Sequence, residues 1–135
     1  MKKVLFDTNI ILDIALKREP FFEDAFKLFE LIDKGKITGN ITASTVTDIY
    51  YISKKEKGHK SAIDFIKSLI EVVEVIGVDK DVILKALCSN IKDFEDAVQT
   101  SAAEMNEIGI IITRNEKDFA NSELKIISPK KFLVD

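Results

Sequence analysis

The side chains with chemistry to offer in this sequence are acids set at particular points along the chain. Asp7 follows the apolar run Val4-Leu5-Phe6, and Asp48 lies about one turn into a helical pattern. Asp93 and Asp96 stand three residues apart ahead of a small-residue stretch, and Asn115 and Asp118 follow Ile110-Ile111-Ile112. Four separate parts of the chain therefore supply oxygen ligands. Carboxylates brought together repel one another, and some of their pKa values rise. A divalent cation between them removes that cost, and hard oxygen donors favour Mg²⁺ or Mn²⁺ over zinc. Such an ion, keeping its own waters, activates water against a phosphodiester. Each acid also has a simpler use. Asp93 suits a helix N-cap and Asp96 a first turn. Thr45-x-x-Asp48 resembles a capping box, and Asn115-x-x-Asp118 suits the cap of a short turn. Caps explain why acids occur, but not why all fall at one expected edge of a sheet. Arg114 and Lys117 are the basic residues near that edge.

Whether the acids meet depends on the elements that carry them. Residues 4–6, 39–43, 72–76, 110–112 and 125–127 read as short strands, the fourth being the strongest buried run. Helical spacing falls between them. One helix runs from about Ile10 to the Arg18-Glu19-Pro20 break, and a second from Pro20 to a C-cap at Gly35. Thr45 opens a third, ended at Gly58, and residues 60–70 form a fourth. Asp79 and Asp93 open two more, the latter running to about Asn106, and Pro129 begins a last turn or helix. Strands alternating with helices argue for an α/β fold with a parallel sheet, and right-handed crossovers put helices on both faces. In such sheets chemistry sits beyond the carboxyl ends of the strands. The acids are expected there.

Composition narrows the classes. The chain has 135 residues, 46% of them hydrophobic, enough for a real core and for one domain spanning 1–135. Twenty basic against 23 acidic residues leave a net charge of −3, so no global basic field marks a nucleic-acid binder. With one His and one Cys, an internal disulfide is impossible and a zinc site of the usual nitrogen–sulfur kind is excluded. No apolar run is long enough to span a bilayer, and Asp7 ends the first run too early for a signal peptide. A soluble cytoplasmic protein with no membrane partner is expected. His59 is expected at the surface and Cys88 in packing.

Three segments carry a family likeness. Phe6-Asp7-Thr8-Asn9-Ile10-Ile11-Leu12-Asp13 resembles the opening of the PIN-domain nucleases. Thr113-Arg114-Asn115-Glu116-Lys117-Asp118-Phe119 resembles their closing motif, and Asp93-Phe94-Glu95-Asp96-Ala97 the segment of their third acid. The family includes VapC-like toxins of bacterial toxin–antitoxin pairs and stand-alone relatives. The resemblance implies a three-layer α/β/α sandwich around a mainly parallel sheet of four to five strands. It also implies Mg²⁺- or Mn²⁺-dependent cleavage of single-stranded or structured RNA, leaving a 5′-phosphate and a 3′-hydroxyl. On that basis Asp7, Asp96 and Asp118 are the metal ligands and Asp48 completes the catalytic acids. Asp93 and Asn115 are accessory. Thr8, Asn9 and Thr113 give polar support, with Asn9 expected to orient Asp7 and Thr113 to hydrogen-bond an acid. Arg114 and Lys117 are candidate substrate contacts. Asp48 departs from the family's usual Glu and is one methylene shorter, which is expected to weaken metal binding.

Relatives also imply a homodimer and an antitoxin partner, and Phe21 and Phe22 are candidates for either contact. Tyr50 and Tyr51 are candidates for base stacking, with at least one expected in the core. A receiver domain would need paired acids after the first strand and an acceptor Asp after the third, which ends here in Ile76-Gly77. A haloacid-dehalogenase-type phosphatase would need a second acid where Asn9 stands. The remaining alternative is a catalytically weak or inactive PIN-like module that only binds a protein or RNA partner.

Overall fold

The computed structural model describes residues 1–119 and 121–134. Its first strand, β1 (Lys2–Phe6), sets the layering. Val4 and Phe6 point into one apolar core and Leu5 into a second, so the strand is buried on both faces. Four more strands follow: β2 (Ile37–Thr42), β3 (Glu74–Ile76), β4 (Ile110–Ile112) and β5 (Lys125–Ile127). All pair in parallel, in the order β3-β2-β1-β4-β5. Continuous apolar runs such as Ile110-Ile111-Ile112 suit this arrangement, because each successive side chain enters the opposite core.

Among the described residues, seven helices cover the sheet. They are α1 (Thr8–Ala15), α2 (Phe22–Asp33), α3 (Ala43–Lys57), α4 (His59–Val72), α5 (Lys80–Leu87), α6 (Phe94–Met105) and α7 (Pro129–Val134). Residues of α1 to α4 and α7 fill the core with Val4 and Phe6, while α5 and α6 fill the core with Leu5. The result is the expected α/β/α sandwich, with five strands. The alanines at 97, 102 and 103 let α6 lie close to the sheet and to α5.

The local chemistry of several ends matches the sequence. Asp79 caps α5 by accepting from the Val82 amide at 3.0 Å. Gly35 and Gly58 take the positive φ values, 72° and 89°, that end α2 and α3. The start of α3 differs from expectation. Thr42 is its N-cap, accepting from the Thr45 amide at 3.2 Å, so the helix begins at Ala43 rather than at Thr45. The Thr45-x-x-Asp48 spacing is therefore not the capping box, and Asp48 is left outside the cap. Cys88, expected in packing, is exposed just past the end of α5.

The topology fixes where a site can form. From β1 the chain builds outward through β2 to β3, then returns to the other side of β1 through β4 and β5. The crevice of such a sheet lies beyond the ends of the two strands where the order reverses, here β1 and β4. Asp7 follows the first of these and Thr113 the second.

Candidate active site

Asp7 lies between β1 and α1, at the N-cap position of the helix, and its side chain is held from two sides. Thr113 Oγ1 donates to Asp7 Oδ2 at 2.8 Å, and Gln99 Nε2 donates to Asp7 Oδ1 at 3.2 Å. The backbone joins the same strands, since the Asp7 amide donates to the Ile112 carbonyl at 3.0 Å. Burial pushes the Asp7 carboxyl above its ordinary pKa, against the opposing pull of Thr113, Gln99, the Thr8 amide and the Arg114 charge. The protein has thus placed a carboxyl where ionisation is costly, and donors soften that cost without removing it.

Asp96 sits in the first turn of α6 and is held up to about 7. Burial is the largest cause. The charges of Asp93, Asp7 and Asp118 follow in that order. Those three acids come from three separate segments, so their joint influence on Asp96 marks the convergence of the chain's acids at one place. Asp93 itself is the N-cap of α6, accepting from the Asp96 amide at 3.0 Å.

Three helices earlier in sequence, Asp48 meets a partner that the sequence reading passed over. Glu95 is raised to about 7, first by its hydrogen bond with Asp48, then by burial and by the Asp48 charge. Thr8 Oγ1 donates to Glu95 Oε1 at 3.3 Å and shares a 2.8 Å hydrogen bond with Thr45 Oγ1. A hydroxyl from α1 thereby reaches the Glu95 carboxyl and is itself tied to α3.

An open cleft of about 330 Å³ gathers these groups. Asp7, Thr8, Asn9, Asp48, Asp93, Asp96, Asn115 and Asp118 of the expected residues all line it, joined by Glu95, Leu12 and Ile52. Thr113 is buried behind Asp7, and its hydroxyl also accepts from the Asn115 amide at 3.0 Å. Asn9 does not take the part expected of it. Its Oδ1 accepts from Arg18 Nη1 at 3.5 Å, and Gln99 and Thr113 orient Asp7 instead. Arg114, expected on substrate, is turned away from the cleft and forks onto Asp13, with Nε to Oδ2 at 2.8 Å and Nη2 to Oδ1 at 3.1 Å. Lys117 borders a neighbouring hollow that also touches Asp93 and Asp118. Away from the cleft, Tyr50 hydrogen-bonds His59 at 2.8 Å and Tyr51 is 67% exposed, so neither is a core residue. Phe21 is exposed and Phe22 half-buried.

The donor set is all oxygen, which fits Mg²⁺ or Mn²⁺. Among the described residues, no three acids are drawn together tightly enough to form a ready cage. That geometry still suits Mg²⁺, which keeps several waters and binds through one or two carboxylates plus substrate phosphates.

Comparison with known proteins gives the site its lineage. A family model described as PIN domain matches residues 3–117. The chain belongs to the PIN-domain family. The matched stretch contains Asp7, Asp48, Asp93, Asp96 and Asn115 and stops one residue before Asp118. Among curated proteins, this PIN-domain chain is 26% identical over 137 residues to Ribonuclease VapC1 of Aquifex aeolicus (strain VF5), covering 97% of this chain and 93% of that one. Among solved structures, VapBC2 from Rickettsia felis, bound to a DNA fragment from its promoter, aligns with a TM-score of 0.76 at 17% identity. That alignment covers 93% of this chain and 98% of the other. VapC20 of Mycobacterium tuberculosis, described as a sarcin–ricin loop cleaving toxin, aligns with a TM-score of 0.65 at 14% identity, covering 80% of this chain and 86% of the other. At these identities the structures establish a shared PIN fold.

Proposed function

We propose that the protein is a Mg²⁺- or Mn²⁺-dependent endoribonuclease that hydrolyses single-stranded RNA, acting as the toxin of a toxin–antitoxin pair. The observation that carries this is the gathering of Asp7, Asp48, Asp93, Asp96 and Asp118 at one cleft, where burial first, and then the charges of Asp93, Asp7 and Asp118, hold the Asp96 carboxyl at about 7. A fold maintains such repulsion at small cost only where a cation is part of the working state. The name of the Aquifex relative, a ribonuclease, supports the activity, and the promoter-bound VapBC2 neighbour supports an antitoxin partner. A homodimer and a cytoplasmic setting belong to the same proposal.

Asp7, Asp96 and Asp118 would hold the ion, which when bound neutralises phosphate charge and makes water more acidic. The protein's own contribution is then proton handling and orientation. Asp48, beside Glu95, is better placed than Asp93 to take the attacking water's proton, because one Asp93 oxygen is committed to the Asp96 amide. Glu95, held at about 7 beside it, is a neighbour suited to proton transfer near neutrality. The water oxygen bonds to phosphorus, the bond from phosphorus to the 3′ oxygen breaks, and that oxygen takes a proton from solvent. Gln99 and Thr113 hold Asp7 fixed throughout. Lys117 remains a candidate phosphate contact beside the cleft.

The test is cleavage of a labelled single-stranded RNA with Mn²⁺ or Mg²⁺ and with chelator, beside Asp7→Asn. Metal-dependent cutting lost in Asp7→Asn is the expected result. One observation favours a second reading. The lack of a tight three-acid cage among the described residues suits an inactive module that binds RNA or protein. Folded protein that binds RNA but leaves a broad set of RNAs intact with either metal would select it.

A further inference from the structure

Helix α1 is hooked at both ends to consecutive residues of one loop. Asp7, at its N-terminus, accepts from Thr113, and Asp13, in its second turn, accepts the fork of Arg114. Asp13 is fully buried, and a buried carboxylate is tolerated only when paired and hydrogen-bonded. Arg18 lies 4.0 Å away as a second cation, and the Arg18 amide donates to the Asp13 carbonyl at 3.0 Å. The Arg114 guanidinium also lies 3.7 Å from the centre of the Phe21 ring, so its plane is fixed on two sides. Immediately after it, the Asn115 amide donates to Thr113 Oγ1 and the Asp118 amide to the Asn115 carbonyl. The loop that delivers Asn115 and Asp118 to the cleft is thus anchored through Arg114.

We propose that Asp13 and Arg114 are a positioning pair, which fixes the 113–118 segment over Asp7 and so sets the spacing of the acid site. Neither residue touches the cleft. Their effect runs through Thr113, whose hydroxyl links the Asn115 amide to Asp7. The consequence for metal and turnover rests on the nuclease proposed above. The positioning itself does not.

Two measurements separate the two. Amide hydrogen exchange, followed by NMR on metal-free protein, reads the loop directly. Two variants guard against simple unfolding. Arg114→Lys keeps the charge but loses the fork, and Asp13→Asn with Arg114→Gln leaves no orphaned buried charge. In both, exchange at Asn115 and Asp118 is expected to quicken while β1 and the middle of α6 keep their protection. Unchanged exchange at Asn115 in folded variants overturns the proposal, whatever the protein does to RNA. Mn²⁺ titration by calorimetry and RNA cleavage then read the site. Metal affinity and kcat are expected to fall by about 10–100-fold, the usual effect of losing a residue that orients a ligand, with KM for RNA nearly unchanged. Faster exchange with unaltered Mn²⁺ affinity and kcat also overturns it, because the pair would then only stabilise the loop. Wild-type protein that neither takes up Mn²⁺ nor cuts RNA removes the nuclease reading and leaves the exchange comparison to decide the pair's role.

Discussion

Glu95 of α6 lies beside Asp48 of α3, and the interaction with Asp48 together with burial holds Glu95 at about 7. The sequence shows an Asp where PIN relatives usually have Glu, and the structure brings a Glu to it from another helix. Glu95→Gln leaves Asp48 a hydrogen-bond donor but removes the carboxyl held at about 7. Cleavage is expected to fall by about 100-fold, within the range for losing acid–base assistance. The limb of the pH–rate profile near neutrality should move. An unaltered profile would assign the proton to another group.

Stability of the metal-free protein should depend on pH in a direction opposite to ordinary acid denaturation. The folded pKa values of Asp96 and Glu95, about 7, lie above their usual 3.8 and 4.5. Between pH 4 and 7 the folded state therefore binds more protons than the unfolded one, so these two groups lower stability as pH rises through that window. Above about 7 the penalty is complete. On the proposed reading Mn²⁺ displaces the Asp96 proton, so its affinity should rise with pH and its binding should release protons. Calorimetric Tm at pH 5 and pH 8, with and without Mn²⁺, checks both. The stabilisation by metal should be larger at pH 8.

Thr113→Val removes the donor to Asp7 and the acceptor for the Asn115 amide while keeping the shape. Leaving buried groups unsatisfied should cost about 1–3 kcal/mol. Asp7 loses one of the donors that offset its burial, so its carboxyl should titrate still higher. Denaturant unfolding reads the first effect, and the ¹³C shift of the Asp7 carboxyl against pH reads the second.

Gly39→Ala tests the sheet beneath the site. A Cβ there would lie 2.6 Å from Phe6 Cε2 and 2.7 Å from Ile32 Cδ1. Phe6 is also stacked on Phe29, with ring centres 5.4 Å apart, so it has little room to yield. A loss of about 1–3 kcal/mol is expected from overpacking, seen as a lower Tm. Metal affinity should change little, because Phe6 faces the core on the α2 side.

The framework was readable because buried parallel strands and helix caps leave local marks. Ile110-Ile111-Ile112 and the caps at Asp79 and Asp93 needed no tertiary information. Local chemistry misled at Thr45, where two threonines three residues apart offered competing caps and only the path of β2 chose Thr42. Glu95, Gln99 and Asp13 escaped notice because their importance is a matter of helical phase and distant partners. There were signals. Gln99 interrupts a stretch of small and apolar residues, and Asp13 follows the apolar run 10–12 on a helix too buried to leave a charge unpaired. Neither signal names its partner, which lies 92 residues away for Gln99 and 101 for Asp13.

The lining of the cleft has a consequence for the order of events. Six acids and no basic residue line it among the described residues. A nucleic-acid-binding surface ordinarily loses affinity as salt rises, because it gives up released counterions. This one, free of divalent ions, repels a phosphate chain, and monovalent salt should weaken that repulsion and ease the chain's approach. On the proposed nuclease reading, the ion has to arrive before the RNA or together with it, so that the substrate reverses from excluded to attracted at a single binding event.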